Sequence, residues 1–246
     1  MTADAADPDT RTDYGQLTTK MVNEHFANGS ARGVLLMRHS AREFNRDIND
    51  LLNPLTDHGR ELSVAMGGAL AADIQLRGYA SPPERCVETA ELVLKGAAQN
   101  MQSVRPLEAL GIFYALDHVR MWKGMSMSGG LAAYLTQWFG GDIAEDVMMP
   151  PNMAVAMVLR VLRGKLDAPA LGAKPQLDLC VSHDMTVYIV RHGSGLEPIA
   201  AAPVDFLDGL LMYRDQQGQL LLLSLIHISE PTRRRGISYA VFCVKK

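Results

Sequence analysis

The sequence predicts an α/β fold built on an open sheet, and three observations carry that expectation. Short apolar runs at 34–37, 76–80 and 176–181 read as strands and alternate with segments that read as helices. Two of those runs deliver a histidine at their carboxyl ends, in Arg38-His39 and in Ser182-His183. The length of 246 residues, with 48% apolar and 21% charged side chains, suits one large α/β domain or two small ones.

Taken in order, residues 1–16 are rich in Ala, Asp and Thr and are expected to be frayed. Residues 17–28 form a short helix that Asn28-Gly29-Ser30 stops. The first strand occupies 34–37 and opens into a polar loop ending at Asn53-Pro54. A helix over 58–75 carries Ala65, Gly67, Gly68, Ala69, Ala71 and Ala72, small enough for close packing. A strand at 76–80 meets Ser81-Pro82-Pro83, and a helix continues over 84–95 with proline near its first turn. A further strand is predicted at 101–107, closing on Glu108 and Gly111.

Residues 112–175 break this rhythm. They hold seven methionines (121, 125, 127, 148, 149, 153 and 157) and both tryptophans, with helices expected at 128–139 and 152–164. Methionines suit either an adaptable lid or plain core, and both remain open for this segment. Beyond the strand at 176–181, a helix is expected over 185–191, then a hairpin from 210–213 to 220–223 through Asp215-Gln216-Gln217-Gly218.

The last 23 residues, 224–246, carry five basic residues against one acid, and their start resembles translated sequencing-adapter read-through. The expectation is a non-native tail; the alternative is a genuine basic extension.

A net charge of −3 argues against a general nucleic-acid binder, and no run reaches transmembrane length. Three widely spaced cysteines give neither a disulfide framework nor a zinc pattern. The N-terminus lacks the basic start and apolar core of a signal peptide, which leaves the cytoplasm as the expected compartment.

The chemistry concentrates at Arg38-His39-Ser40-Ala41-Arg42. Two permanent positive charges beside one imidazole repel a metal ion, but forked guanidinium donors match phosphate oxygens. A neutral imidazole between them can attack phosphorus. Arg85 stands in the first turn of a helix, where the dipole also favours anions, although taken alone it reads better as a surface arginine paired with Glu84 or Glu88. The segment 124–129 has a P-loop's glycines without its lysine, and no GxSxG or HExxH motif occurs. Arg191-His192-Gly193 is a decoy at a helix end, because the residue four after Arg191 is Gly195 rather than a second arginine.

In this order, Arg38-His39-Ser40-Ala41-Arg42, then Ser81-Pro82-Pro83-Glu84-Arg85, then Ser182-His183-Asp184, the chain resembles the histidine phosphatase superfamily over about residues 30–223. That superfamily includes phosphoglycerate mutase-like phosphatases and histidine acid phosphatases. The resemblance implies a three-layer α/β/α sandwich with a mostly parallel central sheet and a helical cap-like insertion at 112–175, within a domain spanning 17–223. It implies His39 as a transiently phosphorylated nucleophile, Arg38, Arg42, Arg85 and His183 as the phosphate pocket, and catalysis without metal or other cofactor. Ser40 departs from the glycine most common at its position.

The expected activity is a phosphomonoester hydrolase acting on a small phosphorylated metabolite, with no nucleic-acid or membrane partner. A mutase-like phosphotransferase and a non-catalytic phospho-ligand binder are the alternatives. Two acids can protonate the leaving oxygen. Asp184 is preferred because it adjoins His183, as in the acid-phosphatase branch; Glu108 resembles the acid of the mutase-like branch.

Overall fold

Val34, Leu35, Leu36 and Met37 are all fully buried, so this strand has no polar face and must be covered on both sides. The computed structural model describes residues 11–45, 47–99 and 103–225 and places the run in β1 (Arg32–Arg38). Alternation along the strand divides its side chains between two cores. Leu35 and Met37 pack with α1 (Gln16–Ala27), α2 (Asp57–Ala69) and α3 (Glu84–Gly96). Val34 and Leu36 pack with α6 (Pro151–Leu166) and α7 (Asp184–Gly193). The result is the expected α/β/α sandwich.

The remaining strands are β2 (Gln75–Ala80), β3 (Arg105–Pro106), β4 (Gln176–Ser182), β5 (Gly209–Arg214) and β6 (Leu220–Leu223). They lie in the order β3-β2-β4-β1-β5-β6. The first four are mutually parallel, whereas β5 and β6 run antiparallel as the expected hairpin at one edge. Register aligns the strand ends. Arg38 pairs with Ser182 and Ala80 with Val181, so His39, Ser81 and His183 all leave the sheet at one edge.

Helix packing holds that edge together. A Cβ on Gly67 would stand 2.0 Å from the Val93 carbonyl oxygen, and one on Gly96 would stand 2.0 Å from that of Val64. These two glycines let α2 and α3 touch backbone to backbone. A Cβ on Gly59 would likewise meet the Ala41 carbonyl oxygen at 2.1 Å, which seats α2 directly under the loop after β1. The helix stops at Ala69 rather than running to 75 because Asn23 of α1 caps it from outside. Its side chain accepts from the Ala71 N–H and donates to the Ala69 carbonyl.

Segment 112–175 differs from expectation in two ways. It holds three helices, the unexpected one being α4 (His118–Met127) ahead of α5 (Leu131–Gly140) and α6. Asp117 caps α4 through the Arg120 N–H, and Gly124 makes room for the Tyr134 ring, which a Cβ would approach to 2.8 Å. In addition, α6 packs on β1, β5 and α7, so it is a layer of the sandwich and not part of a cap. The methionines divide accordingly: Met121 and Met148 are buried, whereas Met127, Met153 and Met157 are exposed.

The predicted strand at 101–107 shrinks to Arg105–Pro106, with residues 101 and 102 outside the described residues. Part of the N-terminus expected to be frayed is docked. Arg11 pairs with Asp205, its carbonyl oxygen contacts His58 Nε2 at 2.8 Å, and Tyr14 meets Phe206 edge to face at 5.5 Å. At the other end the expected tail begins too early. Ser224 is buried and donates to Glu197 at 2.8 Å, and Leu225 packs on the core shared with α1–α3. Residues 1–10 and 226–246 lie outside the described residues.

Candidate active site

Each strand end supplies one part of a single cluster. His39 comes directly after β1, and its N–H donates to the Ser182 carbonyl at 2.9 Å. Its ring is buried, with Nδ1 2.8 Å from the Ser40 carbonyl oxygen and Nε2 3.0 Å from Arg85 Nε. A carbonyl can only accept and a guanidinium can only donate, so Nδ1 carries the proton and Nε2 presents its lone pair. Burial, then the charges of Arg85 and Arg38, hold the His39 pKa well below its usual value. The imidazole is therefore neutral, with one nitrogen oriented and the other available.

Ser40 fits its position through its hydroxyl, which donates to the Gly59 carbonyl at 2.7 Å, beside the same bond from Ser63 at 2.8 Å. Its N–H donates to Thr89 Oγ1 at 3.2 Å. The departure from glycine thus adds a tie to α2, beside the backbone bond to α3 that a glycine would also make.

Arg85 is buried, and Glu88, its possible surface partner, instead pairs with Arg60 at 2.7 Å. The Arg85 guanidinium reaches the Asp50 carbonyl oxygen at 2.7 Å and His183 Nδ1 at 3.5 Å besides His39. His183 completes the inner wall. Its Nε2 lies 2.9 Å from Ser81 Oγ, its ring centroid lies 5.7 Å from that of His39, and burial and Arg85 hold its pKa well down. As pH falls, the unfolded chain protonates these two histidines first, near 6.5, while the folded one resists, so the stability they contribute is lost below that pH.

Arg38 lies 4.1 Å over the Phe206 ring, donates to the Val204 carbonyl at 2.7 Å and pairs with Asp184 at 3.4 Å. Its Nε is buried without an acceptor among the described residues. Tyr14 backs Phe206, and Arg11 covers Tyr14 at 4.5 Å, so a stack beginning in the N-terminal segment supports Arg38. Arg42 lies 4.3 Å over Phe44 and pairs with Asp50 at 2.7 Å. The structure therefore brings together Arg38, His39, Arg42, Arg85, His183 and Asp184.

Asp50, Ser81, Thr89 and Phe206 belong to the same surroundings and were missed in the sequence. Ser81 could have been found, since it ends β2 at the same edge. The others carry no local signal. A cleft of about 370 Å³ opens beside Arg42, lined by Ala41, Glu43, Phe44, Asn45, Thr56 and Phe206. A larger groove of about 580 Å³ between α1 and α2 holds none of the clustered groups.

The two candidate acids differ in their contacts. Asp184, first residue of α7, accepts the Met185 N–H through Oδ1 at 2.7 Å and meets Arg38 through Oδ2. Glu108 opens a 3₁₀ turn, Glu108–Leu110, held to the sheet edge by Leu107 N–H donating to Ala80 and by Ser182 Oγ donating to Leu110. Glu108 is exposed, and its carboxylate has no hydrogen-bond or ion-pair partner among the described residues. His192 lies at the far end of α7 against Phe139, and Arg191 pairs with Glu197, which removes that triplet from the site.

Asp208 gives a pH test of the site's support. Its carbonyl accepts the Arg38 N–H at 2.9 Å, and burial raises its carboxyl pKa from 3.8 to about 6. A raised acid stabilises the fold below its unfolded value, and that contribution is lost as pH rises through the folded value. Asp208→Asn should therefore stabilise the protein by about 1–2 kcal/mol at pH about 8 and leave it unchanged near pH 4, in chemical denaturation at the two pH values.

No curated protein matches the chain in sequence. The family model for the histidine phosphatase superfamily (branch 1) matches residues 34–111, a span that includes Arg38, His39, Arg42, Arg85 and Glu108. Among solved structures, phosphoglycerate mutase from Bacillus anthracis is 16% identical, with a TM-score of 0.56 over 83% of this chain and 98% of that one. The alpha-ribazole phosphatase from Shigella flexneri is 19% identical, with a TM-score of 0.51 over 78% and 95%. An Entamoeba histolytica phosphoserine phosphatase is 16% identical, with a TM-score of 0.51 over 78% and 95%. The fold is that of the phosphoglycerate mutase-like proteins.

Proposed function

We propose that the chain, with its histidine phosphatase motifs on a phosphoglycerate mutase-like fold, is a phosphomonoester hydrolase that works through phosphohistidine. The observation that carries this reading is the state of His39: a neutral imidazole with Nδ1 locked on the Ser40 carbonyl and Nε2 aimed at Arg85. An incoming phosphoryl group takes over Arg85, which frees the Nε2 lone pair for in-line attack. The N–P bond forms as the P–O bond to the leaving group breaks, and Nδ1 keeps its proton throughout. Arg38, Arg42 and Arg85 then balance charge on the equatorial oxygens, where positioning and electrostatics supply most of the catalysis.

The leaving oxygen needs a proton, and the contacts favour Glu108 over the Asp184 preferred from sequence. Both oxygens of Asp184 are engaged, one by a backbone N–H and one by Arg38, which suits it to hold that arginine. Glu108 is unengaged at the same edge; as a carboxylate after the first step, it takes a proton from the water that attacks phosphohistidine. The rest of the substrate fits the cleft between Phe44 and Phe206. Its aromatic walls favour a leaving group with an apolar face.

Purified protein should hydrolyse p-nitrophenyl phosphate, retain activity in EDTA, and be inhibited by vanadate as an imitation of five-coordinate phosphorus. Loss of activity to chelator with rescue by Mg²⁺ or Zn²⁺ would contradict the arginine-based mechanism. Absence of hydrolysis alongside tight phosphate binding would favour a binding module.

A further inference from the structure

The phosphate seat already holds an anion. Asp50 places Oδ1 2.7 Å from Arg42 Nη2 and Oδ2 3.6 Å from Arg85 Nη2, so one carboxylate spans two of the three arginines. This is the bridging arrangement that two phosphoryl oxygens would make. Resting on the phosphatase reading, we propose that Asp50 is an internal competitor that sets the affinity threshold of the seat, an anion that a phosphoryl dianion must displace from Arg42 and Arg85.

Three features make displacement feasible. The Asp50 side chain is 33% exposed, and no residue of its 3₁₀ turn, Asp50–Leu52, is buried. Leu52 and Ile48 project into solvent at 71% and 41% exposure, so no core contact from those neighbours pins the turn. The Asp50 backbone carbonyl separately accepts from Arg85 Nη1 at 2.7 Å, so Arg85 keeps one anchor when the carboxylate leaves.

Charge supplies the selectivity. Asp184 neutralises Arg38 and Asp50 neutralises part of the Arg42–Arg85 pair, which leaves the equivalent of one positive charge unmatched. A singly charged anion that replaces Asp50 exchanges one unit charge for another and gains little. A phosphoryl dianion brings a second charge to the same arginines. The seat therefore prefers monoester dianions over diesters and carboxylates, and Asp50 sets the threshold.

The test is calorimetric titration of inorganic phosphate and of dimethyl phosphate into the full-length chain and Asp50→Asn. The titration is run at pH about 8, where a monoester with a second pKa of ~6 is a dianion and inorganic phosphate is mostly one. Asn keeps the side-chain shape and removes the charge. The variant should bind phosphate roughly two- to fivefold more tightly, the range expected for a partly exposed ion pair. The same displacement cost falls on every anion, so dimethyl phosphate should gain by a similar factor while phosphate stays preferred. Asp50→Ser, with a shorter neutral side chain, should move both affinities in the same direction. Unchanged or weaker phosphate binding in both variants, with wild-type circular dichroism, would overturn the proposal and make Asp50 a support for the arginines. No turnover is needed for this measurement. Failure of the wild-type protein to bind phosphate at all would instead overturn the phosphatase reading, and the inference with it.

Discussion

Replacing His39 with alanine should reduce phosphomonoester hydrolysis by a factor on the order of 10⁴ or more, because the N–P bond forms at His39 Nε2. The ring is buried, so alanine also leaves a small void between Arg85, His183 and Phe206. A modest loss of about 1–2 kcal/mol is expected from that void and from the lost hydrogen bonds. His39→Asn separates the two effects. Its amide can donate to the Ser40 carbonyl as Nδ1 does, so stability should stay near wild type while turnover is still lost. His192→Ala is the matched control. That ring touches Phe139 at the other end of α7, and its loss should change kcat less than about twofold. A large defect there would mean that the wrong triplet had been assigned.

The second large effect depends on the leaving group. Glu108→Gln should lower hydrolysis of alkyl phosphates by roughly 10²–10⁴-fold, the range for loss of a general acid. Hydrolysis of p-nitrophenyl phosphate should fall much less, since p-nitrophenolate leaves without a proton. Asp184→Asn should weaken both substrates to a similar degree, mainly in KM, because the partner it loses is Arg38. Rates for a series of phosphate esters plotted against leaving-group pKa decide the matter: the steeper slope belongs to the variant that lost the acid. A steep slope for Asp184→Asn and a flat one for Glu108→Gln would return the role to Asp184.

What the sequence disclosed was whatever lies within a few residues of a strand end. The run at 34–37 and the run at 176–181 each announce a buried strand by having no polar face, and each leads straight into its histidine. Arg85 was visible as an arginine at a helix start, but not its direction; that depends on Glu88 being taken by Arg60 of α2, a contact across 28 positions. Asp50 was hidden for the same kind of reason. It sits in a polar loop with no periodicity, and only the fold of that loop carries it back to Arg42 and Arg85. Phe206 looked like an ordinary apolar residue before β5, and its place beneath Arg38 results from the antiparallel pairing of β5 with β1. The end of α2 was misjudged because its cap is Asn23 on another helix. The helix α4 was missed because Gly124 weakens its local propensity, while the benefit of that glycine lies on α5. Local chemistry was legible, and tertiary partners were not.

The most direct test of the account is to trap the intermediate. The protein is mixed with ³²P-labelled substrate, quenched in alkali within the first turnover, digested, and its labelled peptide identified by mass spectrometry. The account predicts label that survives alkali, is released by acid, and maps to His39, with none retained by His39→Asn. Label on another residue, or equal retention by the variant, would contradict it.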